Sequence, residues 1–438
     1  MSMTRTGVVS NWARNQRCVP DVVRQPSSTD EVAQIVRVAH ESGQRVKVIG
    51  AGHSFTAAAM TDGVMLRLKN MSQILNVDHE SGRVHVQAGA TLHDFCYELH
   101  EYGLALPNLG DIDVQSIAGA ISTATHGTGI GLGNLATNVV SMTLVDGRGE
   151  IVHLGEGDPR ISIAAVGVGA LGIVCEVVLQ CVPSFRLHAH ETIEVLDDVL
   201  ADVPAFAESA DHAEFFWMPG ARRCQVKRNQ RTTEAVQRPG KLAVVRDKYI
   251  AENMAFGVVC RVGRRWPSLA PRIAKLVSSS VSERDLIDDS FRVFSSPRLV
   301  RFVEMEYGIP IECLPEAVDR VREVTRHLSF PSLFPVEVRV SAADDIALST
   351  GFGRLNGWIA VHQYVGAPYE SYFQQVADIM DSYGGRPHWG KMHYLNASQL
   401  SERYPRWDEF QDLRADCDPD GTFRNEYLDR VLGVPNSG

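Results

Sequence analysis

The chain is poor in the features that would commit it to a metal, a membrane or a nucleic acid. Its 438 residues hold 8 cysteines, Cys18, Cys96, Cys175, Cys181, Cys224, Cys260, Cys313 and Cys417, and no two form a C-x-x-C pair. That dispersal excludes the common zinc spacings and a thioredoxin-type motif. Such cysteines read as small buried hydrophobes in a reducing compartment. No H-E-x-x-H occurs among the 15 histidines, so a metal-dependent hydrolase has no motif behind it. Long apolar runs are missing as well. The most apolar stretch, Ile161–Leu179, is interrupted by Gly167, Gly169, Gly172 and Glu176, which suits a turn between buried elements and not a membrane span. Met1–Ser10 is polar and shows no secretory leader. The expectation is a cytoplasmic protein without an integral membrane segment, peripheral membrane association being left open. Positive charge is in deficit, 43 Lys plus Arg against 53 Asp plus Glu, a net −10. A nucleic-acid partner would want the opposite sign.

What is present is a globular composition, 44% hydrophobic and 22% charged, on a chain long enough for two domains of roughly 150–250 residues. The first part alternates strand and helix signals. Val22–Arg24 reads as a strand. Ser28 caps a helix in which Glu31 completes a capping box, Val32, Ile35, Val36 and Ala39 form the apolar face, and Gly43 ends it. Further strands are expected at Val46–Ile49, Val64–Leu68, Arg83–Gln87, Val139–Val145 and Ile173–Leu179. Asp146-Gly147 makes a hairpin to Glu150–Leu154, and Thr91–Tyr102 is a helix. In the second part, strands at Glu214–Trp217, Val303–Tyr307, Pro335–Val340 and Trp358–Tyr364 alternate with helices at Pro315–Leu328 and Tyr369–Tyr383. That order predicts an antiparallel sheet with helices on one side. Arg231–Arg238 and Ser278–Arg284 read as loops.

Residues 1–183 contain 21 of the 36 glycines, and their placement carries the chemistry. Gly50-x-Gly52 follows a strand and begins like a dinucleotide fingerprint, but the third glycine position is Phe55, so the Rossmann pattern fails. What remains is a turn whose backbone N–H groups can cradle phosphate. From Ser116 to Gly129 small residues and hydroxyls dominate, as expected of a loop that lets backbone approach a flat or charged ligand. Gly167–Val174 is a third glycine turn into a strand. Three such turns together point to a dinucleotide held by backbone. Gly385 to Lys391 matches G-x-x-x-x-G-K, but Met392 replaces the Ser/Thr that would bind Mg²⁺, so a P-loop is rejected.

Gly50-x-Gly52-His53-Ser54, Asn108-Leu109-Gly110 leading into Gln115–Gly119, Ala124–Gly129, His388-Trp389-Gly390-Lys391 and the terminal Asp418–Tyr427 together resemble the vanillyl-alcohol-oxidase-type flavoproteins. Within that group the chain is similar to the sugar-lactone oxidases and dehydrogenases that act on gulono-, galactono- and arabinono-1,4-lactones, in their actinobacterial form. The resemblance implies an α+β fold with a two-lobed FAD-binding domain of the PCMH type over residues 1–183. A substrate cap domain with an antiparallel sheet and helices would span 184–438, its last segment, from about residue 386, returning to the flavin. It implies FAD as cofactor, joined through His53 to the flavin 8α-methyl, where a neutral imidazole is a competent nucleophile. The cofactor contacts implied are Ile49, Gly50, Ala51, Gly52, Ser54 and Phe55; Gly110; Ser116, Gly119, Ala120, Ser122, Thr125, His126, Gly127, Thr128 and Gly129; and Gly172, Ile173 and Val174. No metal is implied.

The substrate side centres on Pro335–Val340. Strand alternation puts Glu337 and Arg339 on one face and three valines on the other. Taken alone, that face reads as a surface ion pair. The resemblance makes it the pair that holds substrate hydroxyls, with Arg339 stabilising oxyanion character and Lys391 as third catalytic group. Asn108, His362, Tyr364 and His388 would line the same cavity. The implied reaction is hydride transfer from a CH–OH of an aldono-1,4-lactone, with reoxidation by O₂ or by a cytochrome or quinone. In plant galactonolactone dehydrogenases alanine stands where Gly110 stands here and shields the flavin from oxygen, so Gly110 permits O₂ access. An alditol or xylitol oxidase is the alternative, disfavoured because Asn108 and the Tyr364 region depart from that pattern. A hydrolase and a non-catalytic flavin carrier are the readings from other classes.

Overall fold

The computed structural model describes residues 7–238, 256–269, 283–296 and 298–434. Its first part begins as a β-α-β unit. Strand β1 (Val22–Arg24), helix α1 (Thr29–Glu41), β2 (Val46–Val48) and β3 (Val64–Leu66) build a three-stranded parallel sheet in the order β1-β3-β2. The Ser28 hydroxyl accepts the Glu31 N–H at 3.2 Å, as its spacing predicts. The return arm of the box is shifted by one residue, because the Glu31 carboxylate accepts the Ser27 N–H at 2.9 Å and not that of Ser28. Val32, Ala33, Val36 and Ala39 are buried against the strands.

Beside this unit lies a five-stranded antiparallel sheet. It comprises β4 (Ile74–Asp78), β5 (Arg83–Gln87), β6 (Val139–Val145), β7 (Ile151–Leu154) and β8 (Ile173–Gln180), ordered β7-β6-β8-β5-β4. The β6–β7 hairpin turns at Asp146, whose carboxylate accepts the N–H groups of Arg148 and Glu150. Helix α2 (Leu92–Glu101) is capped by Thr91. The stretch expected to be a loop from Ser116 contains a short helix, α3 (Ile117–Ser122). The Ser116 side chain accepts the Gly119 N–H, and Ile117, Ala120 and Ile121 are buried. The capping serine and those three apolar contacts outweigh the poor helix propensity of the glycine.

The second part is one eight-stranded antiparallel sheet. Its strands are β9 (Arg186–Val195), β10 (His212–Trp217), β11 (Arg223–Thr232), β12 (Arg284–Asp289), β13 (Phe302–Pro310), β14 (Val336–Ser341), β15 (Asn356–Tyr364) and β16 (Arg386–Pro387), ordered β12-β9-β11-β10-β14-β15-β13-β16. Arg231 and Thr232, expected in a loop, end β11. Of the polar stretch 278–284, residues 278–282 lie outside the described residues and Arg284 opens β12. Helices α4 (Leu314–Arg326) and α5 (Glu370–Asp381) bury Leu314, Val318, Val321, Phe373 and Val376 in the core that includes Val303, Met305, Val338, Ile359 and Val361. One face of the sheet is therefore dry and aliphatic. The alternate residues of the same strands face the other way and carry the charge.

The C-terminal segment crosses back to the first part. Asp418 accepts the N–H groups of Thr422 and Phe423, and the buried Lys47 ammonium donates to the carbonyls of Gly169 and Phe423 at 3.1 Å each. The Asn425 side chain donates to the carbonyls of Ala57, Ala58 and Met60. Among the described residues no helix is long and apolar enough to cross a membrane.

Candidate active site

Cross-strand register writes the charged face in rows. Lys227, Glu214, Arg339, Trp358 and Gly308 stand opposite one another across β11, β10, β14, β15 and β13. The next row is Gln225, Phe216, Glu337, Ala360 and Glu306, and beyond it Glu304 faces His362. Side chains directly opposite sit about 5 Å apart at Cβ, so this register alone brings Lys227, Glu214, Arg339, Glu337, Glu306, Glu304 and His362 together.

Glu337 and Arg339 share one face, as alternation predicts, and each is only 7% exposed, which removes the surface-pair reading. The guanidinium is surrounded by carboxylates. Its Nε lies 2.9 Å from Glu214, its Nη2 2.6 Å from Asp111, and Nη2 also touches Glu337. Glu214 is shared with Lys227 at 3.3 Å and Asp111 with Arg298 at 2.6 Å. Environment drives two of these acids apart. Burial, reinforced by the neighbouring charges of Asp111, Glu214 and Glu306, raises the Glu337 carboxyl well above the usual range despite Arg339. Burial acts on Asp111 in the same sense, but Arg339, Arg298 and Lys227 outweigh it and hold that carboxyl low. The Glu337 oxygen that touches Nη2 is Oε1, and Arg339 is its one partner among the described residues.

The second group surrounds Lys391. Its ammonium is 2.5 Å from Glu304, 3.9 Å from Glu306 and 5.3 Å above the Phe55 ring. Burial opposes ionisation of Glu304, yet Lys391 and then His362 bring its pKa down to about 2. Glu306 is likewise held low against burial, by His126 first and then Lys391. His126 lies flat on Trp358, ring centroids 3.6 Å apart, with Nε2 3.4 Å from Glu306 and Nδ1 2.8 Å from the Gly127 carbonyl. Gly127 is dictated by this packing, because a Cβ there would fall 2.3 Å from the Asn108 side-chain oxygen.

Among the described residues two groups have metal-like spacing: His126, Glu306 and His388, and Asp111, Glu214 and Glu337. In the first, burial lowers the His388 pKa to about 3, and its Nδ1 accepts the Gly390 N–H at 3.0 Å. A neutral ring with Nδ1 accepting carries its proton on Nε2, so neither nitrogen has a free lone pair for a metal. In the second, the Arg339 guanidinium already occupies the centre.

The dinucleotide side lies against this face. Gly50, Ala51, Gly52, His53 and Ser54 donate no backbone hydrogen bond among the described residues. Five consecutive free N–H groups suit an anionic pyrophosphate. A Cβ at Gly50 would lie 2.5 Å from the Ser116 hydroxyl, so the first two glycine segments touch. The third reaches the same place, since Val168 N–H donates to the Ser122 carbonyl at the end of α3. The C-terminal motif closes it, with Phe55 N–H donating to the Gly390 carbonyl at 2.7 Å. His53 stacks on Trp12 at 5.1 Å. Burial, with Lys391 nearby, lowers its pKa to about 4, so the imidazole is neutral near pH 7. These groups fit FAD by their free amides and by a nucleophilic imidazole in reach of the same cradle.

Not every expected residue stands where expected. The Asn108 amide donates to the Thr128 carbonyl and its oxygen accepts the Leu109 N–H, which makes it a brace between two loops. Phe55 is 4% exposed and stacks on Phe302, so it floors Lys391. Ile173 is a core residue. Tyr364 packs at the sheet end with Phe334 and beneath Arg264, away from Glu337. His362 is on the site face beside Glu304. The residues that motif reading missed are Asp111, Glu214, Glu304 and Glu306. The signal for the three glutamates was a carboxylate at the centre of an apolar strand, and Asp111, in a loop, gave none.

The family described as D-arabinono-1,4-lactone oxidase matches residues 177–431, and the FAD binding domain family matches residues 20–155. The L-gulono-1,4-lactone dehydrogenase of Mycobacterium tuberculosis is 44% identical over 425 residues, 97% of this chain and 99% of that one. The L-gulonolactone oxidase of Mus musculus is 31% identical over 440 residues, 96% of this chain and 97% of that one. Among solved structures, a His121Ala mutant of the cholesterol oxidase of Brevibacterium sterolicum superposes with a TM-score of 0.83 at 18% identity, covering 98% and 97% of the two chains. That likeness bears on the PCMH-type fold alone.

Proposed function

The chain belongs to the D-arabinono-1,4-lactone oxidase family, an FAD-dependent oxidoreductase acting on the CH–OH group of an aldono-1,4-lactone, and from that premise we propose that its preferred substrate is an L-gulono-1,4-lactone-like ring held by Glu337 and Arg339. FAD, when bound, supplies the hydride acceptor. The observation that carries the reading is the Arg339 guanidinium, tied through Asp111 to the loop of Gly110. The pair is thereby referred to the flavin side of the molecule. Arg339 places positive charge where a substrate oxygen becomes more negative as its carbon loses hydride. Glu337, whose carboxyl burial raises well above the usual range, hydrogen-bonds a ring hydroxyl. Lys391, held cationic between Glu304 and Glu306, adds field from the opposite side. A division near residue 183 into a flavin-binding and a cap domain accompanies this reading.

His53 is proposed as the covalent flavin ligand, on the strength of its neutral ring among free amides. Acid precipitation of the holoenzyme is expected to leave yellow colour in the pellet, and His53→Ala to move all of it to the supernatant; a colourless wild-type pellet refutes the link. Anaerobic mixing with L-gulono-1,4-lactone should bleach the flavin and xylitol should not. Bleaching by xylitol alone would reverse the choice of substrate.

For the electron acceptor, we read O₂ as accessible and a cytochrome or quinone as competing. A Cβ at residue 110 would sit 3.1 Å from the His126 carbonyl, narrowing that approach. Gly110→Ala is expected to slow reoxidation by O₂ at least about tenfold, 1.36 kcal/mol of barrier, with reduction by lactone unchanged. Stopped-flow traces of both half-reactions test this, and equal O₂ rates would refute it.

A further inference from the structure

Three carboxylates touch one guanidinium here, and they are not equivalent. Glu214 meets Nε and is also committed to Lys227. Asp111 and Glu337 both approach Nη2. Asp111 comes from the Asn108–Gly110 loop of the first part, and Glu337 from the same strand as Arg339. The Asp111 loop is fastened to the cap by further bonds. The Ser296 N–H donates to the Asp111 carbonyl at 3.0 Å, the Ser295 hydroxyl to Asp113, and Arg298 pairs with the Asp111 carboxylate. Glu337, by contrast, is fastened by no bond to the first part, and the contact of its Oε1 with Arg339 Nη2 is its one ion pair among the described residues.

We propose that Asp111 is the positioning residue of the active site: its carboxylate is the counter-ion that fixes Arg339, and this leaves Glu337 as a neutral acid, free to donate to the substrate. The proposal rests on the reading that Glu337 and Arg339 hold the lactone. Its physical basis is the crowding of two acids on one guanidinium nitrogen. Arg339, Lys227 and Arg298 bring three cations to the cluster, and Asp111, Glu214 and Glu337 bring three acids. Glu306 and Lys391 face Glu337 from β13 and from the C-terminal segment. Two acids sharing one nitrogen at close range do not both ionise as readily as one. The acid nearest a second cation, Asp111 beside Arg298, keeps the charge. Groups driven apart in this way mark which one donates and which one stays charged.

The test is Asp111→Asn, which keeps shape and removes charge. With Asp111 neutral, Arg339 takes Glu337 as counter-ion and Glu337 ionises. The expected kinetic result is a fall in kcat/KM of roughly 100-fold, the scale of a misplaced reacting group. The alkaline limb of the pH profile should move down by about one pH unit or more. An independent readout is the infrared carbonyl band of a protonated carboxylic acid in the holoenzyme, assigned by its loss in Glu337→Gln. In Asp111→Asn that band should titrate away at lower pH than in the wild type, and Asp111→Glu should restore it in part. An unchanged band and limb would overturn the proposal, even with slower turnover, because a merely structural aspartate gives that result. If Asp111→Asn yields no flavin-loaded protein, Asp111→Glu decides alone, by a displaced band or none. Full activity in Glu337→Gln would instead refute the underlying substrate reading.

Discussion

Arg339→Lys is expected to lower kcat/KM for an aldonolactone by about 100- to 1,000-fold, the cost of losing one preorganised donor to a developing oxyanion, while flavin content stays at the wild-type level. The substitution keeps the charge, so the result isolates geometry. Arginine offers a planar fork with separate nitrogens, and lysine one compact ammonium. Here Nε serves Glu214 and Nη2 serves Asp111 and Glu337. No hydrogen bond of Nη1 is found among the described residues, which leaves that nitrogen for a substrate oxygen. A lysine cannot meet Glu214 and Asp111 and still present a donor outward. One carboxylate is left short of its partner, and Tm falls as well. Steady-state kinetics with a melting curve on the same preparation check both effects. A lysine variant within fivefold of wild type would mean that Arg339 supplies charge alone.

The backbone of this site was legible where local chemistry decides it. Ser28 and Gly43 bracket α1, and the alternation in Val336–Ser341 places Glu337 and Arg339 together. Glycine turns announced the cradle because their side-chain absence is itself the signal, and the resemblance named FAD and the lactone class. What was not legible is what arises between strands. Glu304 and Glu306 lie in a strand whose other members, Val303, Met305 and Tyr307, read as core. Only the register against His362 and Ala360 shows that their face is a site. Asp111 looks like a loop aspartate until the loop is seen to cross to Arg339. Asn108 and Tyr364 show the opposite case, for the chain gives no sign that the first hydrogen-bonds Thr128 and the second packs with Phe334. Helix α3 is too short for periodicity to show, and its cap was the sole cue.

These misses share a cause. The charged face is assembled from Asp111 and His126 in the first part, from five strands of the sheet, and from His388 and Lys391 near the end. Separations of 87 to 228 residues leave no pattern in a local window. A buried charge is costly unless paired, so an acid at the centre of an apolar strand implies a cation somewhere else in the chain. Glu214 and Glu304 posed that requirement; Lys227 with Arg339 meets it for the first, and Lys391 for the second.

Lys391→Met carries the clearest pH signature. Methionine keeps a flexible stem over Phe55 and deletes the ammonium that holds Glu304 down. The folded pKa of Glu304, about 2 against an ordinary 4.5, is depressed. Its contribution to stability is therefore present above about pH 4.5 and is lost as pH falls through about 2. At 1.36 kcal/mol per pKa unit that contribution is on the order of 3 kcal/mol. Lys391 itself is raised above the ordinary lysine value by Glu304 and Glu306 against burial, so its own share is present at neutral pH and is lost only on the alkaline side. Removing the ammonium should thus cost most between about pH 5 and 9 and progressively less toward pH 2. Stability curves of the two proteins, measured by urea unfolding across that range, should converge at the acid end. Parallel curves would refute the pairing, because a packing defect from the substitution alone has no reason to vanish with Glu304 protonation. Activity should fall in the same variant by about 100-fold, the worth of one preorganised cation facing developing charge. That loss should persist at acid pH, where the stability difference has gone, and the two effects are separable on that basis.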